Sequence, residues 1–293
     1  MIPRRPVGRA RPGDAASGCA VFVVAASEAV GLGHVYRAAM IADELSTELD
    51  VLFVCPTGSA LAARLLESVN YSAVVQGERD DLATLVLASN PTVVVKDFLA
   101  TPGEYVMALK GRDVPVVSFE DEGEGAKYSD LVINALYLDT ASRDQYRYGP
   151  GYFCLRDEFL VTAPSPFQER VASVLVSFGG VDAADSTGRV VRLLAADQAF
   201  RALQLTVITG PGYLHRRRLL NTIGRLHAGA EVAWIEKTRR MAAHMATADI
   251  ALTSAGRTVF ELAAMRVPAI VLAANQKEER HHFAALNGGC VYI

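Results

Sequence analysis

Three glycine-bearing turns hold the residue types from which chemistry can be built, and one of them also carries a histidine. The stretch AVGLGHVYRAAMIADEL, Ala29 to Leu45, sets Gly31, Leu32 and Gly33 behind an apolar run and opens a helical pattern on His34. A histidine there can cap the helix, bind a metal, or move a proton on a substrate held by the turn. The second turn is Ser177-Phe178-Gly179-Gly180, and the third is Thr253-Ser254-Ala255-Gly256-Arg257-Thr258. Each is expected to end a strand and open a helix, where free backbone N–H groups and the helix dipole favour an anion such as phosphate. Glycine also serves such turns for steric reasons alone. It is the set of three, spread over the chain, that points to an anionic ligand.

The standard phosphate motifs are missing. No Gly-x-x-x-x-Gly-Lys-[Ser/Thr] occurs, which disfavours a P-loop nucleotidase. A dinucleotide fingerprint would need glycine where Tyr36 stands, and an acidic residue about twenty positions after the turn, where LFVC stands. Neither His-Glu-x-x-His nor Asp-x-Asp is present, so no metal and no resident cofactor is expected. Thr258 and Glu261 form the Ser/Thr-x-x-Glu pattern of a capping box. A glutamate one turn into such a helix can instead accept hydrogen bonds from both hydroxyls of a ribose. Local sequence alone favours the cap. His281 and His282, taken alone, read as surface residues.

The elements that must position these residues follow from periodicity. At 293 residues, 51% hydrophobic and 21% charged, the chain suits two domains with substantial cores. From Cys19 to Asn134, apolar β-rich runs (AVFVVAA, DVLFVC, YSAVVQ, TVVVKD, VPVVSFED, DLVIN) alternate with helical patterns near 34–47, 58–68, 80–89 and 102–111. In the first helix Val35, Ala38, Ala39, Ala42 and Leu45 share an apolar face, with Arg37, Asp43 and Glu44 off it. Residues 136–170 are polar and aromatic with three prolines, and read as crossover and linker. Alternation then resumes with SVLVSFGG, LTVITG, EVAWIE, IALTSA, PAIVLAA and CVYI. Strands this uniformly apolar are buried on both faces, and intervening helices imply parallel pairing. The expectation is α/β: two successive doubly wound domains, ligands at the carboxyl ends of the strands, and a cleft between the domains. Residues 1–18 are expected to be a flexible tail, 19–160 the first domain and 161–293 the second. The second ends on a strand with no helix after it, so its final helices are expected to be lacking.

Composition excludes several functions. The net charge is −3, from 29 Lys plus Arg against 32 Asp plus Glu, which argues against a nucleic-acid binder. The run Arg216, Arg217, Arg218 reads as a solvated helix face. The four cysteines stand far apart and suggest neither disulfides nor a zinc site, in keeping with a reducing compartment. The basic N-terminus precedes too short an apolar run for a signal peptide, and no run approaches a membrane span. A cytoplasmic location is expected. Oligomeric state is not set by the sequence.

Taken in order, VGLGHVYRAAMIADEL, FEDEG…SDLVINALY, YGPGYFCLRDEF, VLVSFGG and SAGRTVFELAAMRVPAIVLAANQKEERHHF resemble predicted glycosyltransferases of spore-coat polysaccharide biosynthesis. They are also similar to the UDP-sugar hydrolase of pseudaminic acid biosynthesis and, more distantly in the second half, to the peptidoglycan N-acetylglucosaminyltransferase. The resemblance implies the GT-B fold, with a nucleotide sugar between two Rossmann-like domains. By position it implies a catalytic His34, a Gly33 that binds the nucleotide sugar, and Gly179 and Gly180 facing the nucleotide sugar. It implies a diphosphate turn of Ser254, Gly256, Arg257 and Thr258, and a ribose-binding Glu261. Ile235 and Met241 fall where the uracil is held, and Asn275 and Gln276 where the sugar or diphosphate is contacted. Val95-Lys96-Asp97-Phe98 and Tyr36-Arg37-Ala38 depart from the hydrolase and lean toward the spore-coat type. His34 at a helix start, where the dipole favours the neutral ring, is then expected to act as general base. The acceptor is a carbohydrate hydroxyl or water, and a non-catalytic nucleotide-binding domain is the third reading.

Overall fold

The computed structural model describes residues 18–26, 32–137, 144–164, 166–200, 202–225, 231–286 and 289–293. The expected tail, apart from Gly18, and Gly31 of the first turn lie outside the described residues. The chain forms two compact units. One holds the described residues up to Asn134 together with 144–147; the other holds 135–137 and the described residues from Tyr148 onward.

In the first unit the strands are β1 (Cys19–Val24), β2 (Asp50–Cys55), β3 (Ala73–Val75), β4 (Val93–Asp97), β5 (Val116–Phe119), β6 (Leu131–Asn134) and β7 (Tyr146–Tyr148). Their helices are α1 (Gly33–Leu45), α2 (Ala60–Ser68), α3 (Leu82–Leu87) and α4 (Gly103–Lys110). The sheet runs β3-β2-β1-β4-β5-β6-β7. Strands β1 to β6 pair in parallel. β1 is apolar throughout because both of its faces are covered: Ala20 to Val24 are completely buried. The strand order reverses between β1 and β4, where Val24 sits level with Asp97. In an open α/β sheet, that reversal is where a crevice opens at the carboxyl ends.

The second unit repeats the plan. Its elements are α5 (Asp157–Val161), β8 (Ser173–Ser177), α6 (Ser186–Ala196), β9 (Gln204–Thr209), α7 (Arg216–Ile223), β10 (Glu231–Glu236), α8 (Met241–Met245), β11 (Ile250–Ser254), α9 (Thr258–Ala264), β12 (Ala269–Leu272), α10 (Phe283–Leu286) and β13 (Cys290–Tyr292). The all-parallel order is β10-β9-β8-β11-β12-β13, reversing between β8 and β11. Thr253 Oγ1 donates to the Ser177 carbonyl at 2.7 Å and ties those two strands together where they end.

Residues 148–160, assigned to the first domain from sequence, pack on the second. The rings of Phe153, Phe260 and Phe283 stack in a column with centroids 4.1 and 4.0 Å apart. Aromatic burial against α9 and α10, which local polarity does not reveal, decides the boundary.

Candidate functional site

In the first unit, adjacency of β1, β4 and β5 brings three short segments together: the start of α1, the end of β4 and the turn after β5. His34 does not cap its helix. Leu32 occupies the N-cap position with no side-chain cap bond, and His34 instead turns its Nδ1 to Asp97 Oδ1. Arg37, one turn further on, donates Nε to Asp97 Oδ2 and Nη2 to Asp97 Oδ1, both at 2.6 Å. Its Nη1 donates to Glu120 Oε1. The guanidinium also lies over the Phe119 ring, 5.1 Å from its centroid. All four polar residues are buried: His34 is 7% exposed, Arg37 2%, Asp97 1% and Glu120 1%. Arg37 therefore lies inside, against the expectation that it stands off the buried face of α1. Two buried carboxylates hold it there.

This arrangement fixes a tautomer. Burial would raise the Asp97 carboxyl, but Arg37 and His34 more than offset it and hold the acid well below the usual carboxylate range. Burial also works against the Arg37 charge, and Asp97 and Glu120 overcome it, keeping the guanidinium more firmly protonated than usual. An ionised Asp97 only accepts, so the proton of the neutral imidazole sits on Nδ1 and the lone pair on Nε2. Among the described residues nothing hydrogen-bonds Nε2. A histidine oriented by a carboxylate with its second nitrogen open is the layout of a general base.

A second buried pair frames the first. Lys96, wholly buried on β4, donates to Asp121 and, at 2.8 Å, to Thr101 Oγ1. Asp121 also accepts from the amides of Thr101 and Gly123 at 3.0 and 2.9 Å. Burial lowers Lys96 below an ordinary lysine, with Asp121 pulling the other way. A Cβ on Gly123 would meet the Thr101 amide nitrogen at 2.4 Å, so only glycine allows this close approach. Glu120, at φ +52°, takes a left-handed backbone that aims its carboxylate at Arg37.

In the second unit the reversal between β8 and β11 sets Gly179 and Gly180 beside Ser254, Gly256, Arg257 and Thr258. Gly179 has φ +83°, which an L side chain would strain. Two of this chain's own carboxylates already use amides that sequence left open for an anion. After Gly180 the helix begins only at Ser186, and Asp182 accepts from the Ser186 and Thr187 amides at 2.8 and 2.9 Å. The second turn thus does not open its helix directly. In the third turn, Glu278 Oε2 accepts from the Ala255 amide at 3.1 Å and from Ala274 at 2.9 Å. Asn275 is exposed, and its Oδ1 accepts from the Lys277 and Glu278 amides, which shapes the loop carrying Glu278. Gln276 is exposed beside it.

The capping box does not form. The N-cap of α9 is Arg257, without a side-chain cap bond, and the Glu261 carboxylate turns to Arg156. Arg156 donates Nη2 and Nε to Glu261 Oε1 at 3.0 and 3.2 Å. Its Nη1 lies 2.7 Å from Glu158 Oε1, and Glu158 Oε2 accepts from the Ala242 amide at 3.0 Å. Burial raises the Glu261 carboxyl, while Arg156 and Arg257 draw it back down. No hydrogen bond engages Glu261 Oε2 among the described residues, so one oxygen is anchored and the other is available. Arg257 donates Nη2 to the Cys154 carbonyl at 3.0 Å and lies 4.3 Å from the Phe153 centroid. Ile235 and Met241 are half-buried against the cluster that holds Ala255, Val259 and Leu262.

Gly33 and His34 belong to one unit, and every other residue expected at the site belongs to the other. Sequence reasoning missed Arg37, Asp97 and Glu120. Their signals were the three-residue spacing of Arg37 from His34 and acids placed at the ends of buried strands.

No protein-family model matches the chain. The uncharacterized protein MJ1062 of Methanocaldococcus jannaschii is 25% identical over 264 residues, covering 84% of this chain and 54% of that protein. The spore coat polysaccharide biosynthesis protein SpsG of Bacillus subtilis is 26% identical over 256 residues, covering 83% of this chain and 73% of that protein. The chain thus spans about half the length of the first relative. Among solved structures, MurG of Acinetobacter baumannii superposes with a TM-score of 0.63 at 16% identity, covering 94% of this chain and 85% of that one. The spinosyn rhamnosyltransferase SpnG, complexed with thymidine diphosphate, gives 0.59 at 16%, covering 94% and 86%. The MnaA–UDP structure from S. aureus gives 0.56 at 11%, covering 87% and 79%. The resemblance to spore-coat polysaccharide proteins is found again in the match to SpsG, and the fold, two parallel-sheet α/β domains, is that of the GT-B glycosyltransferases.

Proposed function

We propose that the chain transfers a glycosyl group from a nucleoside-diphosphate sugar, a UDP-sugar, to a carbohydrate hydroxyl in surface polysaccharide or nonulosonic acid biosynthesis. The observation that carries this reading is the buried His34–Asp97 pair at the strand-order reversal of the first sheet, on a GT-B fold. In this reading the acceptor oxygen attacks the anomeric carbon opposite the diphosphate. A new C–O bond forms as the bond to the phosphate oxygen breaks, and the configuration inverts. His34 Nε2 takes the acceptor proton, and Asp97 stabilises the imidazolium that results. The diphosphate charge falls on the third turn. Glu278 holds the Ala255 amide and is hydrogen-bonded to the Ser254 side chain, so the amides and hydroxyl from Gly256 to Thr258 and the Arg257 charge carry it without a metal, with the Ser254 hydroxyl joining them once Glu278 releases it. The free oxygen of Glu261 receives the ribose hydroxyls, Ile235 and Met241 flank the base, and Gly179, Gly180, Asn275 and Gln276 line the sugar.

The test is UDP release from a panel of UDP-sugars, with and without carbohydrate acceptors. Release that depends on an acceptor is the expected result. Equal release in water alone would make the chain a UDP-sugar hydrolase. Nucleotide binding with no turnover under any acceptor would overturn the enzymatic reading.

A further inference from the structure

Helices α6 and α7 join β8, β9 and β10, which follow one another in a single direction across the second sheet. Right-handed crossovers place both helices on the same face of that sheet. Val190 and Val191 of α6 and Leu219 of α7 accordingly share one cluster with Val174, Val176, Leu205 and Val207. The opposite sides of both helices face outward together. They present Arg189, Arg192 and Leu193 on α6, and Arg216, Arg217 and Leu220 on α7, with Leu214 in the turn before it; all seven are exposed. The leucines are far out of the core: Leu193 is 71% exposed, Leu214 67% and Leu220 54%. Neither helix contains an Asp or Glu, in a chain with more acidic than basic residues. Arg216 pairs with Glu236 and Arg218 with Asp185. Among the described residues, Arg189, Arg192 and Arg217 make no ion pair.

We infer that this face docks on a bilayer surface bearing anionic phospholipid. Arginines meet the lipid phosphates while the leucines enter the boundary between headgroups and acyl chains. Charge complementarity alone would also suit a nucleic acid, but that partner leaves three exposed leucines in water. The interleaving of cation and apolar side chain selects the bilayer. Among the described residues no helix is long and apolar enough to cross a membrane, and this contact is peripheral. The inference does not rest on the glycosyl-transfer reading.

Co-sedimentation of the full chain with vesicles tests it. Binding is expected to phosphatidylcholine vesicles containing phosphatidylglycerol, not to phosphatidylcholine alone, and should fall at high salt. Each arginine near the surface contributes roughly fivefold, so the triple variant Arg189→Gln, Arg192→Gln, Arg217→Gln should partition about a hundredfold more weakly. The exposed positions leave the fold intact, which circular dichroism checks. Leu193→Ser with Leu220→Ser should weaken vesicle binding by at least about tenfold. Wild type that fails to sediment with anionic vesicles would overturn the inference, as would leucine variants that bind like wild type. Tighter binding to a short DNA duplex, unaffected by the leucine changes, would assign the face to nucleic acid instead.

Discussion

Replacing His34 with alanine is expected to lower turnover by about 10²–10⁴-fold, the usual contribution of a positioned general base, while leaving UDP affinity nearly unchanged. The asymmetry follows from placement. His34 stands in the first unit, whereas the residues proposed to hold the nucleotide stand in the second. Its ring is held at Nδ1 by Asp97, so alanine removes a proton acceptor without disturbing the nucleotide turn. Asp97→Asn should move turnover in the same direction, because an amide no longer fixes the tautomer or stabilises the imidazolium. Steady-state kinetics alongside UDP calorimetry separate the effects. Equal losses in turnover and nucleotide binding for His34→Ala would contradict the proposed role.

Arg37→Met is expected to destabilise the first unit by about 3–5 kcal/mol, the cost of leaving buried charge without its partner. The guanidinium is 2% exposed and joins Asp97 to Glu120, two carboxylates of nearly equal burial. Without it, Asp97 and Glu120 lose the buried cation they share, which favours proton uptake by the carboxylates. Arg37→Lys keeps the charge but not the fork that reaches both acids, and should recover only part of the loss. The pH dependence has a definite sign. Asp97 is held below its unfolded value, so its contribution is complete above the ordinary aspartate range and is lost as pH falls through the lower folded value. Arg37→Met removes the main cause of that depression, so acid unfolding should begin at a higher pH than in wild type. Urea titrations over a pH series measure both effects. A loss within about 0.5 kcal/mol, typical of surface substitutions, would show that the network is not holding the fold together.

Much of the architecture is legible in the sequence because parallel strands buried on both faces cannot hide their apolar character. Runs such as AVFVVAA and TVVVKD became β1 and β4 with boundaries shifted by few residues. What local pattern could not supply is which strand ends become neighbours. Asp97 and Glu120 lie 63 and 86 positions beyond His34 in the chain (97 − 34 and 120 − 34), and they join it, Glu120 through Arg37, only because the sheet order sets β1 beside β4 and β4 beside β5. Arg37 misled for a related reason: periodicity assigns a charged residue outward unless its buried partners are known. The capping pattern at Thr258 and Glu261 failed because Arg156, 105 positions away, offers Glu261 a charged partner that the helix amides do not. The carboxylates of Asp182 and Glu278 were likewise invisible as occupants of turn amides, since each is seated by loop geometry rather than by a motif.

The central claim is that the second unit binds a uridine nucleotide through Glu261, and UDP calorimetry on wild type and Glu261→Ala tests it most directly. Wild-type binding in the micromolar range, weakened on the order of tenfold or more by loss of a charged hydrogen bond, is the predicted result. No binding by either protein, or equal binding by both, would contradict it.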